Sequence, residues 1–135
     1  MVAQTTKPLT QNPKASKASV GLKAVFTILA KWGCSNEQIQ HILRISRAAF
    51  YKYREQPESA RLSEDQLERI SYILNIHATL RMVFSNNENI YGYMKMPNHN
   101  PYFEGKAPLD IISSGSFGSL YEVFKRIDSM RGGQW

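Results

Sequence analysis

The chain has 135 residues, of which 42% are hydrophobic and 21% are charged, a composition typical of a globular protein with one core or two small lobes. No apolar run reaches the roughly 18 residues that a membrane span requires, and the single cysteine, Cys34, excludes an internal disulfide and a cysteine metal cluster. The net charge of +6 is uneven: residues 1 to 61 hold ten basic and three acidic residues, and residues 62 to 135 hold seven basic and eight acidic. The basic half is a candidate for contact with nucleic-acid phosphates, and a plain solvated surface is the alternative.

Residues 1 to 18 predict a disordered basic arm, because they combine Thr, Ser, Gln and Pro with spaced lysines and offer little to bury. The same stretch lacks the apolar core of a secretory signal and contains no arginine, which argues against export and against a transit peptide. We therefore expect a cytoplasmic protein with no membrane segment.

Residues 19 to 60 predict three short helices. In the first, which Gly33 ends as a left-handed C-cap, apolar residues recur at helical spacing. Ser35 and Gln38 form a capping box at the start of the second, and Ser46 caps a third that runs to about Arg54. The apolar residues of the first helix are Leu22, Val25, Phe26, Leu29 and Trp32.

Residues 61 to 135 predict further helices. A capping box at Ser63 and Gln66 opens a helical region that Asn75 is expected to break, and residues 90 to 96, IYGYMKM, fit a short helix or a strand. Pro108 begins a helical turn that Gly115 closes, and either Ser116 or Ser119 opens a last amphipathic helix. Because strand signals are nearly absent, the predicted fold class is all-α.

The connector of residues 98 to 115, NHNPYFEGKAPLDIISSG, is rich in turn-forming residues and yet apolar. A solvated linker would not carry so many large apolar side chains. We expect Phe103, Leu109 and Ile112 in the core, and Tyr102, Lys106 and Ser113 at the surface.

The segment of residues 37 to 55, EQIQHILRISRAAFYKYRE, resembles a helix-turn-helix of the Xre or Cro type. In such motifs the second helix lies in the major groove of DNA, and flanking basic groups meet phosphates. The sequence departs from the usual pattern at Gln40, where a small residue is typical, and at Arg44, where glycine is typical of the left-handed turn. Three core helices with a basic outer face are the alternative. The resemblance assigns DNA contact to Gln38, Ser46, Arg47, Ala48, Tyr51, Lys52 and Arg54.

Residues 100 to 112, NPYFEGKAPLDII, followed by Gly115 and the ending RIDSMRGGQW, resemble the C-terminal toxin-binding domain of Xre/MbcA/ParS antitoxins. The ending, with its two glycines and tryptophan, resembles the branch that is paired with RES-domain toxins, enzymes that deplete NAD. The positions that match the domain's pattern are Phe103, Gly105, Pro108, Leu109 and Asp110.

The two resemblances together imply a two-part antitoxin of a type II toxin-antitoxin system. Residues 19 to 60 would bind operator DNA and repress the protein's own operon, and residues 61 to 135 would hold the RES toxin and occlude its active site. A tail that folds back on its own helix is the alternative for the chain's end. The residues expected to contact the toxin are Tyr102, Lys106, Arg131, Gly132, Gly133, Gln134 and Trp135.

Catalytic chemistry is not indicated. The three histidines, His41, His77 and His99, are scattered with no cysteine or carboxylate at metal-ligand spacing, and no phosphate-binding loop is present. We therefore expect no enzyme activity and no cofactor. A homodimer is expected, because one small helix-turn-helix reads only a half-site. The alternative function is a transcriptional regulator whose C-terminal half serves only dimerisation.

Overall fold

The computed structural model describes residues 13 to 133, with the backbone alone for residues 13 to 16. Within this range the chain forms helices and 3-10 turns and no strand, which confirms the all-α fold class. The seven α-helices are α1 (Pro13–Lys31), α2 (Asn36–Leu43), α3 (Arg47–Glu55), α4 (Glu64–Val83), α5 (Asn87–Gly92), α6 (Pro108–Ile112) and α7 (Phe117–Asp128). The 3-10 turns are Pro57–Ser59, Tyr93–Lys95 and Ser129–Gly132.

The first helix begins at Pro13, six residues before the predicted start at Ser19. Proline is well tolerated in the first turn of a helix, because its missing N–H would have no partner there. Near its start the helix is anchored to the rest of the protein, since Ser19 Oγ donates to the carbonyl oxygen of Pro57 at 3.1 Å. The predicted arm of residues 1 to 18 is therefore too long, and its remainder, residues 1 to 12, lies outside the described residues.

Helix α4 runs unbroken for 20 residues, so the predicted break at Asn75 is wrong. Asn75 is exposed, and its low helix propensity is outweighed by the packing of its neighbours Ile73 and Ile76, which are fully buried. One side of α4 packs against α1 and another against α7. Helix α4 therefore packs against both halves of the chain.

A single hydrophobic core extends across both halves. Trp32 of α1, Phe50 of α3 and Phe103 of the connector are among its largest fully buried side chains. The predicted core residues Leu109 and Ile112 are also buried, as expected for α6. The helix-turn-helix and the C-terminal half thus share one hydrophobic core.

The connector is a tight loop closed by Asn98. The backbone N–H of Asn98 donates to the carbonyl oxygen of Lys106 at 3.1 Å, and the carbonyl oxygen of Asn98 accepts from Gly105 N–H at 2.8 Å. The Asn98 side chain accepts from Asn100 N–H and donates to Tyr93 Oη at 2.9 Å. Two consecutive left-handed residues, with φ of 50° and 86° at positions 104 and 105, turn the chain back.

Several smaller predictions about individual residues can be compared with the structure. Residues 90 to 95 belong to α5 and the 3-10 turn after it, so the strand alternative for residues 90 to 96 is wrong. Pro108 is the first residue of α6, and Ser116 rather than Ser119 caps α7. Ser113 is half-buried rather than at the surface, because its hydroxyl is enclosed by hydrogen bonds.

Candidate DNA-binding and toxin-binding surfaces

Helices α2 and α3 form the helix-turn-helix, and each begins at a serine cap. Ser35 and Gln38 make the predicted capping box on α2. Ser46 Oγ accepts from the backbone N–H of Ala49 at 3.1 Å, so the side chain predicted to contact DNA is engaged as the cap of α3. Because caps stabilise a helix by about 1 kcal/mol each, they define where these two short helices start.

Arg44 occupies the turn between α2 and α3 in the left-handed conformation, with φ 56° and ψ 47°. The turn thus has the backbone that the family builds with glycine, at a cost of about 1–2 kcal/mol for a residue with a Cβ. Its carbonyl oxygen accepts a hydrogen bond of 2.8 Å from Gln66 Nε2, which holds the turn against α4. The departure at Arg44 therefore leaves the geometry of the motif intact.

Gln40 lies half-buried on α2 at the position where the family usually has a small residue. Its amide nitrogen is buried and has no hydrogen-bond partner within the described part of the chain. An unpaired buried amide lowers stability, so this departure weakens the packing of α2 without changing its path.

The outer face of α3 carries the predicted base-contacting residues. Arg47, Ala48 and Lys52 are exposed, and Tyr51 is half-buried beside them. The structure places five of the seven predicted DNA-binding residues on one helix, with Arg47 and Arg54 both beside Tyr51. We call this surface the α3 face: Arg47, Ala48, Tyr51, Lys52 and Arg54.

Tyr51 is the centre of the α3 face. The guanidinium of Arg47 lies 5.4 Å from the centroid of its ring, and that of Arg54 lies 5.1 Å from it. Asn36, at the start of α2, donates from Nδ2 to Tyr51 Oη at 3.3 Å and accepts from Arg54 Nη1 at 3.2 Å. Asn36 was not predicted from the sequence, because nothing near it along the chain indicates a partner 15 residues away.

Gln38 faces away from the α3 face. Its Oε1 accepts from Ser35 N–H at 2.8 Å, and its Nε2 donates to Ser113 Oγ of the α6–α7 turn at 3.2 Å. Both ends of its amide are therefore engaged inside the protein, although the sequence predicted a contact with the DNA backbone.

Of the predicted toxin-binding residues, Tyr102 lies against the last turn of α7. The guanidinium of Arg126 covers the ring of Tyr102 at 4.2 Å and pairs with Glu122 at 3.0 Å. Lys106 is exposed in the same connector as Tyr102. Arg126 was not predicted as a site residue, because its spacing to Glu122 indicates only an ordinary ion pair on a helix surface.

Arg131 is tied back to the protein. Its Nε lies 3.0 Å from the buried Thr79 Oγ1 of α4 and 2.8 Å from Asp128 Oδ1. Gly132 and Gly133 are exposed, and Gly133 has φ 82°. Gln134 and Trp135 lie outside the described residues.

The sequence matches two families that together span most of the chain. Residues 13 to 75 match the antitoxin Xre-like helix-turn-helix domain, and residues 79 to 133 match the antitoxin Xre/MbcA/ParS C-terminal toxin-binding domain. The chain belongs to the Xre-type antitoxins. It is also 31% identical over 125 residues to the uncharacterized protein y4oB of Sinorhizobium fredii (strain NBRC 101917 / NGR234), an overlap of 90% of this chain and 94% of that protein.

The two domains of the antitoxin meet along a polar contact centred on Arg69 of α4. Arg69 is 95% buried, and its Nη1 donates to the carbonyl oxygens of Ile42 in the helix-turn-helix and Gly115 in the toxin-binding domain, at 3.2 and 3.0 Å. Its Nε pairs with Asp65 Oδ2 at 2.8 Å. We call these contacts, together with that between Gln38 and Ser113, the interdomain seam.

Gly115 allows the close approach at the seam. It has φ 82°, and a Cβ built on it would lie 2.9 Å from the carbonyl oxygen of His41. A side chain at this position would thus both strain the backbone and collide with the end of α2. The α6–α7 turn of the antitoxin can sit against α2 only with glycine here.

The remaining chemistry-bearing side chains of the antitoxin are dispersed. Burial raises the pKa of the Cys34 thiol to about 12, which keeps it protonated at neutral pH. Within residues 13 to 133, no group of three His, Cys, Asp or Glu side chains could hold a metal ion, and no helix is long and apolar enough to cross a bilayer.

Proposed function

We propose that this antitoxin neutralises a RES-domain, NAD-degrading toxin by placing its C-terminal tail in the toxin's active site. We further propose that it represses its own operon as a homodimer, through the α3 face. The observation that carries the proposal is the match of residues 79 to 133 to a toxin-binding domain whose last segment is held at Arg131.

The tether at Arg131 supports a tail that acts as an inhibitor. Thr79 and Asp128 hold Arg131, which immediately precedes the two glycines, in a fixed position. Binding then costs less conformational entropy than it would for a tail with a mobile base. Trp135 supplies an aromatic side chain of the type that dominates protein interfaces.

The pair formed by Tyr102 and Arg126 supports a second contact beside the tail. Arg and Tyr are enriched among the residues that carry most binding energy, and both side chains lie together here, with Arg126 also paired to Glu122. Lys106 adds a positive charge from the same connector. We propose that this area forms the rim of the toxin interface.

The charge distribution supports the DNA-binding role. The excess of positive charge lies in residues 1 to 61, and Arg47, Lys52 and Arg54 of the α3 face belong to it. A single short helix such as α3 contacts only a few base pairs, so two copies would read the two halves of an operator. Homodimerisation is for this reason part of the proposal.

The test is co-expression of the tagged chain with the neighbouring open reading frame of its operon, followed by pull-down and measurement of cellular NAD. We compare the full chain with a truncation that lacks residues 134 and 135 and so keeps the Arg131 tether. The proposal expects a stable complex and preserved NAD with the full chain, and NAD collapse with the truncation.

A matched variant separates the two halves of the proposal. Arg47→Glu with Lys52→Glu should weaken operator binding and its salt dependence while toxin inhibition is retained. A neighbour that is harmless alone, or the absence of a complex, would instead favour a regulator whose C-terminal half only dimerises.

A further inference from the structure

The α3 face has an unusually restricted set of groups for reading bases. The first two turns of α3, residues 47 to 53, contain no Asn, Gln, Asp or Glu. Amides are the side chains that pair with adenine in the major groove, and carboxylates accept from cytosine. Neither mode is therefore available from the part of the helix that enters the groove first.

Arg47 is the one side chain in these two turns with a donor fork. It is the first residue of α3, exposed, and its guanidinium rests over the ring of Tyr51 at 5.4 Å. No hydrogen bond or ion pair occupies its N–H groups within the described part of the chain. An arginine edge matches the O6 and N7 acceptors of guanine.

Ala48 is the second residue of α3 and is exposed next to Arg47. It offers a methyl group and no polar atom. The base feature that such a group recognises in the major groove is the C5 methyl of thymine.

The other polar side chains of the α3 face are occupied or lie farther along the helix. Arg54 is at its C-terminal end and donates to Asn36, and Lys52 is an exposed point charge in the second turn. Tyr51 has its hydroxyl engaged by Asn36. Arg54 and Tyr51 are thus held by Asn36, and Lys52 lies one turn farther from the start of α3 than Ala48.

We infer that each operator half-site contains a guanine read by Arg47 and a neighbouring thymine read through its methyl group by Ala48. This inference rests on the DNA-binding part of the proposed function and specifies which bases that surface selects. Adenine and cytosine edges are not read directly by α3.

The experiment is selection of binding sites from a random duplex library with the purified full chain, followed by base-analogue substitution in the selected site. Replacing thymine by uracil removes only the methyl group, and replacing guanine by 7-deazaguanine removes only the N7 acceptor. We expect uracil at the Ala48 position to weaken binding about threefold to fivefold, and 7-deazaguanine at the Arg47 position about tenfold.

Two variants assign the contacts. Ala48→Gly should bind thymine and uracil sites equally while it still discriminates guanine, and Arg47→Lys should lose part of the guanine preference while it keeps the thymine preference. Uracil placed at the other thymines of the selected site serves as the control and should have no effect.

The outcomes separate this inference from the proposal on which it rests. Selected half-sites with no fixed guanine beside a thymine, or sites that are insensitive to both analogues, overturn the inference and leave sequence-specific DNA binding in place. A folded chain that binds no duplex overturns both. Enrichment of both bases, with discrimination lost in the matching variant, supports the assignment.

Discussion

The two proposed binding surfaces of the molecule, one for DNA and one for the toxin, are built differently. On the α3 face, Arg47, Tyr51 and Arg54 belong to one nine-residue helix, and Asn36 joins them from the preceding helix. At the toxin-facing end, Arg131 is held by Thr79, which is 52 residues away along the chain, and Tyr102 lies beneath Arg126. The proposed DNA-binding surface is thus locally organised, whereas the proposed toxin-binding surface depends on contacts between distant parts of the chain.

The interdomain seam connects these two ends. Arg69 donates both to the last turn of α2 and to the turn before α7, so the orientation of each domain depends on the same buried cation. A buried charge without partners is costly, and Arg69 is stabilised by the Asp65 carboxylate together with these two carbonyl oxygens. A substitution at the seam should therefore affect both proposed binding surfaces, whereas a substitution on one surface should affect that surface alone.

The largest effect is expected from Arg69→Met. This change leaves the carbonyl oxygens of Ile42 and Gly115 without their donor and should lower the free energy of unfolding by about 4 kcal/mol, at roughly 2 kcal/mol for each buried acceptor. The measurement is urea unfolding followed by circular dichroism and tryptophan fluorescence. Both probes should report a single shared transition in the wild type, because the two domains have one core.

The matched control for this change is Asp65→Asn. It removes the charge that pairs with Arg69 Nε on the half-exposed side of the contact, and should cost about 1 kcal/mol or less. If Arg69→Met cost as little as this control, or if the wild type unfolded in two separate steps, the seam would not join the domains.

A smaller loss is expected from Gly115→Ala, with Gly133→Ala as its matched control. Both glycines have φ 82°, so both substitutions pay about 1 kcal/mol for the left-handed backbone. Only at position 115 does the new Cβ meet a backbone atom, 2.9 Å away, whereas a Cβ at Gly133 meets nothing within 4 Å.

The difference between these two alanine variants measures the close approach at the seam. We expect Gly115→Ala to lower the free energy of unfolding by about 3 kcal/mol and Gly133→Ala by about 1 kcal/mol. Thermal unfolding of the two proteins under identical conditions gives the comparison. Equal losses would mean that the α6–α7 turn can move away from α2 at no cost.

The contrast between local and distant contacts also explains what could be predicted from the sequence. The capping boxes at Ser35 and Ser63, the cap at Ser46 and the start of α6 at Pro108 were correct, since each is encoded within four residues. The break at Asn75 was wrong because burial on both sides of α4 overrides a local propensity.

The candidate sites show the same difference between local contacts, which the sequence predicts, and distant contacts, which it does not. Arg47, Ala48, Tyr51 and Lys52 could be placed on one face of α3 from helical spacing alone. By contrast, the contacts of Asn36, Arg69 and Thr79 depend on partners 15 or more residues away, and no periodicity encodes them. Gln38 was assigned to DNA by its position in the motif, and its bond to Ser113 could not be foreseen.

An intermediate effect, confined to the DNA-facing end, is expected from Tyr51→Leu. This change removes the ring that supports Arg47 and Arg54, and should weaken operator binding about fivefold, because each contact between a guanidinium and a ring contributes about 0.5 kcal/mol at an exposed site. Tyr51→Phe keeps the ring and loses only the bond to Asn36, so a change of at most about twofold is expected.

Fluorescence anisotropy with the selected operator provides the measurement for both variants, and toxin inhibition should be the same in each. Equal loss of affinity in the two variants would indicate that the Tyr51 hydroxyl, and not its ring, is what the DNA requires. Loss of toxin inhibition in either would contradict the local character of the α3 face.

The smallest effect concerns His77, which lies on α4 between the two ends. Its ring stacks on that of Tyr91 at 5.4 Å, and burial together with the positive charges of Arg81 and Lys31 lowers its pKa below the ordinary value of about 6.5. The unfolded chain therefore binds this proton at a higher pH than the folded chain does. Stability should fall as the pH drops below about 6.5, and the loss should level off once the pH is below the lowered pKa of the folded state.

The variant His77→Gln carries no titrating group and isolates this contribution. We expect its denaturation midpoint to decline less than that of the wild type between pH 7.5 and pH 5.5, with the two curves separating in the range below 6.5. Parallel curves would show that the folded and unfolded chains bind this proton equally well. Since His77 touches neither the α3 face nor the interdomain seam, operator affinity at pH 7.5 should be the same in both proteins, which distinguishes a change in overall stability from damage to either end.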